Sequence, residues 1–206
     1  MTTQRSTQPR KVPRQARAAV TVAAVIEAAA RILEAEGLVG LNTNAIASKA
    51  GVSVGSLYQY FPSKDAILVA LISREAEAFH VALDQTLGEI ASLGLTTAVA
   101  RLAGAAVRHQ ASRPGLSRIL DLEEQRLGLD AEVGEASART GVLIERFLAG
   151  RNLGGSQAAW DIMGLARGLI DAALDRKDTL GLEQRLSWAI LGYLALSRPS
   201  DPSSNN

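Results

Sequence analysis

The chain contains no cysteine. That excludes disulfides and thiolate metal centres. Histidine is nearly absent as well: His80 and His109 are the only two, far apart in sequence. There is no nucleophile elbow, no phosphate loop, no His-Glu-x-x-His and no cluster of metal-ligand residues, so an enzyme is the weaker reading and neither metal nor cofactor is expected. Only a tertiary constellation of residues distant in sequence would revive it. Aromatic residues make up 4% of the chain, and no run combines strict alternation with β-branched or aromatic enrichment, so no strand is expected. No period of 20–50 residues repeats, which argues against a solenoid. A long apolar run and a basic-plus-apolar leader are both missing, so the expectation is a cytoplasmic protein without a membrane segment.

What is present favours helices. Hydrophobic residues make up 47% of 206 positions, dominated by Ala and Leu, with 21% charged. Ala, Leu, Arg and Glu are good helix formers, and the apolar fraction is large enough for a sizeable core. The net charge of +1 is unevenly placed. Residues 1–64 hold eight Lys/Arg against three acids, a surplus of five, and the remainder carries −4. A basic front suits contact with a polyanion, although five of those charges (Arg5, Arg10, Lys11, Arg14 and Arg17) fall in the first 20 residues and equally suit a solvated tail.

Four segments are expected. Residues 1–20, with Pro9 and Pro13 among polar and basic residues, read as a flexible basic arm. Residues 21–66 read as a compact helical domain. Within it Thr21 is placed to cap a first helix, Val22, Ile26, Ala29, Ala30 and Leu33 mark one face, and Gly37 supplies a left-handed stop. Residues 67–197 read as a larger helical domain. A long helix from about Ser63 to Ile90 leads into it, followed by helices near 95–111, 114–127, 131–150, 156–176 and 179–197. Residues 198–206 read as a disordered tail.

The run from Asn42 to Lys64, NTNAIASKAGVSVGSLYQYFPSK, carries the chemistry. Asn42 can cap a helix from Thr43 to Ala50, and Ser53 a second from about Val54 to Tyr60. Ile46, Leu57 and Phe61 are spaced to point inward, Ala47 is small enough for a helix to cross above it, and Gly51 sits where a tight turn needs positive φ. Val52 is placed to plug that turn. This is the spacing of a helix-turn-helix, whose second helix enters the DNA major groove. Val54, Gly55, Ser56, Tyr58, Gln59 and Tyr60 remain on its start and outer face. Gln59 is suited to adenine and Val54 to a thymine methyl. Thr43, Asn44, Ser53, Tyr58, Tyr60 and Lys64 complete the expected DNA-contact set, chiefly through phosphates.

The segment Ala50 to Ile67, AGVSVGSLYQYFPSKDAI, closely resembles the N-terminal domain of TetR-family regulators, with its aromatic-tipped helix-turn-helix and following Lys. Thr21 to Gly37 resembles the first helix of that family, and the resemblance covers about residues 18–75. It implies an all-α protein in which a three-helix DNA-binding domain is joined by a long helix to a ligand-binding and dimerisation domain. It further implies a homodimeric repressor that holds a near-palindromic operator on double-stranded DNA and is released by a small apolar or amphipathic effector. A DNA binder of the same fold that takes no ligand remains the alternative.

The last two helices are apolar over most of their surface and must be covered. Gly164, Gly168, Ala172, Ile190 and Leu194 are the candidate dimer face, with a plain monomer core as the alternative. Candidate pocket residues are His109, Arg118, Asp121, Gln125 and Trp160, with His80, Arg146 and Asp161 weighed beside them.

Overall fold

A computed structural model describes residues 14–128 and 130–197. Among them are nine helices and no strand. They run α1 (Arg14–Gly40), α2 (Thr43–Ala50), α3 (Val54–Tyr58), α4 (Lys64–Glu89), α5 (Leu95–Ser112), α6 (Pro114–Leu127), α7 (Asp130–Ala149), α8 (Ser156–Asp175) and α9 (Leu182–Leu196). The chain divides into two compact units, with the division between Leu68 and Val69 inside α4.

In the first unit α1 packs on α2 and α2 on α3. Val25, Ala29, Ile32 and Leu33 recur at three- and four-residue spacing on α1 and are buried. Helix α1 begins seven residues before the expected start at Thr21, so residues 14–20 are helical. No glycine or proline separates Pro13 from Gly37, and Arg, Gln and Ala carry the helix back. Thr21 therefore does not cap: its hydroxyl donates to the Arg17 carbonyl one turn earlier, at 3.0 Å. Residues 1–13 of the expected arm and the 198–206 tail lie outside the described residues. At Gly37 the helix breaks with φ 66° and ψ −164°, a combination open essentially to glycine alone.

The second unit holds a cluster in which α5 packs on α9, α8 on both α9 and α7, and α6 against α5 and α7. Pro114 opens α6, where its missing N–H costs nothing, and Gly128 closes it in the left-handed conformation. The turn after α4 is held from a distance. Arg151, just beyond α7, donates through Nη2 to the carbonyls of Ile90, Ala91 and Leu93 at 3.2–3.3 Å. Its guanidinium also lies 4.2 Å from the centre of the Phe147 ring. Helix α9 starts at Leu182 rather than the expected Thr179, because Gly181 takes a left-handed conformation before it.

Candidate nucleic-acid interface and ligand cavity

The helix-turn-helix is assembled by local hydrogen bonds that its own residues dictate. Asn42 Oδ1 accepts from the Ala45 N–H at 2.9 Å and so caps α2. At the other end Gly51 is left-handed, with φ 69° and ψ 30°. Its N–H and that of Val52 return to the Ser48 and Ala47 carbonyls, the Val52 bond being the six-residue closure of a Schellman turn. Val52 itself is half-buried over that turn. Ser53 Oγ accepts from the Ser56 N–H at 3.0 Å and caps α3. Helix α3 ends at Tyr58, two residues short of the expected Tyr60; the N–H groups of Tyr60 and Phe61 both turn back to the Leu57 carbonyl. Ile46, Ala47, Leu57 and Phe61 are buried, as their spacing requires.

The expected DNA-contact residues fall largely on the outside of this unit. Asn44, Ser53, Val54, Gly55, Tyr58, Gln59 and Tyr60 are exposed, while Thr43, Ser56 and Lys64 are half-buried. Val54, Tyr58 and Tyr60 expose 36%, 51% and 38% of their surface, unusual for large apolar or aromatic groups in so small a domain. Thr43 Oγ1 and the Tyr58 hydroxyl lie 3.3 Å apart and share a hydrogen bond, which ties the start of α2 to the end of α3. The two expected phosphate contacts are thereby brought together, each keeping further hydrogen-bonding capacity.

The second unit contains a cavity of about 460 Å³ lined by α4 to α9. That is within the size range of pockets for small organic ligands. Of the five principal pocket candidates, His109, Asp121 and Trp160 line it. Arg118 and Gln125 do not: Arg118 is exposed and ion-paired with Asp175, and Gln125 is exposed on α6. His80, Arg146 and Asp161 lie outside the lining too. Asp161 instead accepts a hydrogen bond from the Tyr193 hydroxyl at 2.6 Å, which ties α8 to α9. The polar lining residues that sequence reasoning missed include Glu75, Arg113, Glu124 and Arg167. Glu75 had a visible signal, since it is a lone carboxylate between Ile72 and Phe79 on an otherwise apolar helix face.

Burial lowers the His109 pKa, against an opposing pull from the Glu75 charge. The ring is therefore held neutral, packed at 4.9 Å against Phe79. Burial also raises the Asp121 pKa; Arg167 beside it pulls down and Asp171 pushes up. Asp121 and Arg167 form an ion pair at 2.6 Å.

The dimer-face candidates separate into two groups. Ile190 and Leu194 are buried within the chain, at 6% and 2% exposure, and are corrected to core residues. With Leu186 they form the stripe of α9 that joins the cluster with α5 and α8. Gly164, Gly168 and Ala172 are exposed along α8. The exposed apolar groups beside them in sequence are Trp160 and Leu165, and on α9 Trp188 and Leu196, the last two 64% and 88% exposed.

Among the described residues no helix is long and apolar enough to cross a membrane, and no group of three His, Asp or Glu residues is placed to hold a metal ion.

Residues 25–71 match the model of the family described as bacterial regulatory proteins, tetR family. The chain is 37% identical over 65 residues to the HTH-type transcriptional repressor DrrR1 of Streptomyces coeruleorubidus, a match covering 32% of this chain and 24% of that protein. It is 36% identical over 61 residues to the HTH-type transcriptional repressor KstR of Mycolicibacterium smegmatis, covering 30% of each. The matched part thus spans less than a third of either repressor. Its fold is similar to that of a putative TetR-family regulator from Mesorhizobium loti, with a TM-score of 0.71 at 20% identity, covering 87% of this chain and 98% of that one. It is also similar to the fatty acid degradation regulator FadR from Bacillus halodurans, with a TM-score of 0.66 at 19% identity, covering 82% and 97%.

Proposed function

We propose that the chain, whose residues 25–71 match the model of bacterial regulatory proteins of the tetR family, is a cytoplasmic, homodimeric repressor that holds operator DNA and lets go when a small ligand occupies its second unit. The carrying observation is the capped pair α2 and α3, closed by left-handed Gly51, with Val54, Tyr58, Gln59 and Tyr60 exposed beyond it. Gln59 offers the bidentate amide that reads adenine, and Val54 an apolar contact for a thymine methyl. Thr43, Tyr58 and Lys64 supply phosphate contacts that set position without reading sequence.

A regulatory reading is favoured over the enzymatic one, because the related chains are repressors and Asp121 and Arg167 of the cavity are paired with each other. Dimerisation is supported by the exposed apolar run on α8 and α9, which a second copy would cover by packing α8 and α9 against its own. Two reading heads then require half-sites about 34–36 Å apart, hence a near-palindromic operator. The cavity supports release by ligand over ligand-free action, since a constitutive binder needs no such space. In this scheme residues 21–66 read DNA and 67–197 bind ligand and partner. A ligand that favours the state unable to grip both half-sites lowers occupancy by its differential affinity for the two states.

Selection of bound duplexes from a random pool tests the scheme. A near-palindromic motif is expected. Gln59→Ala should relax preference at one position per half-site by about 1–3 kcal/mol, while Tyr58→Ala weakens binding to all sequences. Protein that ignores every duplex at low salt, or a Gln59→Ala motif identical to the parent, would overturn it.

A further inference from the structure

The ligand proposed above can be assigned a charge from the way the cavity is already occupied by its own side chains. Five charged residues line it: Glu75, Arg113, Asp121, Glu124 and Arg167. Each of them has a partner. Glu75 Oε1 accepts from Arg74 Nε and Nη2 at 3.1 and 2.6 Å. Asp121 accepts from Arg167 Nη2 at 2.6 Å, and Arg167 lies 3.9 Å from Asp171 as well. Arg113 and Glu124 have partners too. Gln110, the neutral amide of the lining, donates to Asp171 at 3.2 Å.

A carboxylate or ammonium entering this space would lose its hydration and meet only opposite charges that are already taken. It would have to break an internal pair, leaving one partner half-buried and alone. The rest of the wall is mainly apolar, including Phe79, Leu102, Phe147 and Met163, with the hydroxyls of Ser112, Ser117 and Thr140 among them. His109 is different from the charged residues. Its ring lines the cavity and rests against Phe79. A neutral imidazole presents one N–H donor and one acceptor nitrogen.

We infer that the cavity takes an uncharged amphipath, an apolar body with a non-ionic carbonyl or hydroxyl head addressed by His109, and discriminates against its carboxylate and ammonium analogues. This rests on the cavity being the effector site. Burial, which keeps the imidazole neutral, works in the same direction, because a neutral head meets a neutral reader.

Calorimetric titration of the full-chain protein with four ten-carbon probes, each below its micellar concentration, tests it: decan-1-ol, decan-2-one, decanoate and decylammonium. The alcohol and ketone should bind, and both ions should bind roughly tenfold or more weakly. Ala106→Phe, which fills part of the lining, should abolish binding. His109→Phe keeps ring packing but removes both hydrogen-bonding atoms, so it should weaken the alcohol and ketone several-fold while leaving the ions little changed, and His109→Gln should retain alcohol and ketone binding. If either ion binds as well as the alcohol, the charge assignment is overturned while the cavity remains a ligand site. Alcohol and ketone affinities unchanged in His109→Phe overturn the role given to His109. Binding of none of the four, or binding that survives Ala106→Phe, overturns the ligand site and the charge assignment together.

Discussion

Replacing Gly164 and Gly168 together by alanine tests the proposed dimer face through a conflict between two energies. Both glycines lie in the interior of α8, where glycine is less favourable than alanine by about 0.8–1.0 kcal/mol. A Cβ built at either position meets nothing within 4 Å in the protomer. Within one chain the double variant should therefore gain about 2 kcal/mol, with no clash to offset it. If α8 of a second copy crosses here, the same two methyls enter a packed contact, and overpacking costs about 1–3 kcal/mol. The expected result is a dimer weakened roughly 5- to 150-fold, read by sedimentation equilibrium. The dissociated chain should meanwhile be more resistant to urea than wild type. Gly88→Ala provides the comparison, since Gly88 is an exposed helical glycine on α4 with equally open space and no part in the proposed face. A double variant that self-associates like wild type and simply unfolds later would mean that the two glycines face water and that the dimer forms elsewhere.

Further predictions concern the turn, the α4 clamp and pH. Gly51→Ala should cost about 1–2 kcal/mol of stability from the left-handed backbone alone, because no atom obstructs its Cβ; Gly51→Asn should cost less and Gly51→Val more. Equal urea midpoints for the three variants would show that this turn does not demand positive φ. Arg151→Ala removes three carbonyl contacts and the Phe147 ring contact, so a loss of about 2–3 kcal/mol is expected. Arg151→Lys should recover part of that loss, since an ammonium can donate to the same carbonyls but lacks the planar guanidinium that lies over Phe147, and full recovery would contradict this account of the clamp. His109 has a folded pKa below its ordinary 6.5, so the unfolded chain binds the proton more readily. Its contribution to stability should be present above about pH 6.5 and fall as pH drops towards the folded value. His109→Phe should flatten that part of the profile, and an unchanged slope would place the titration elsewhere.

The reading unit was legible because its determinants are local. Asn42, Gly51 and Ser53 act on backbone groups within five residues of themselves, and Ile46, Ala47, Leu57 and Phe61 announce the core by spacing alone. The start of α1 is less legible for the same reason: the prolines and basic charges of the first twenty residues mask six good helix formers between Arg14 and Ala19, and Thr21 has a cap residue's chemistry whichever way the chain runs. The helices of the second unit were legible to within a few residues from their glycine and proline punctuation.

What those helices do with their faces was not legible. Ile190 and Gly164 both lie on strongly apolar helices, and periodicity cannot say which stripe meets α5 and which meets solvent. The cavity depended even more on assembly. Glu75, His109, Asp121 and Arg167 come from four helices and share a wall only after folding. Local sequence determined where this chain turns, caps and exposes its reading surface, because those bonds close within a few residues. Tertiary packing alone decided which apolar stripe is core and which charges neutralise one another, because those choices depend on neighbours about fifty residues away, such as the 46-residue separation of Asp121 and Arg167.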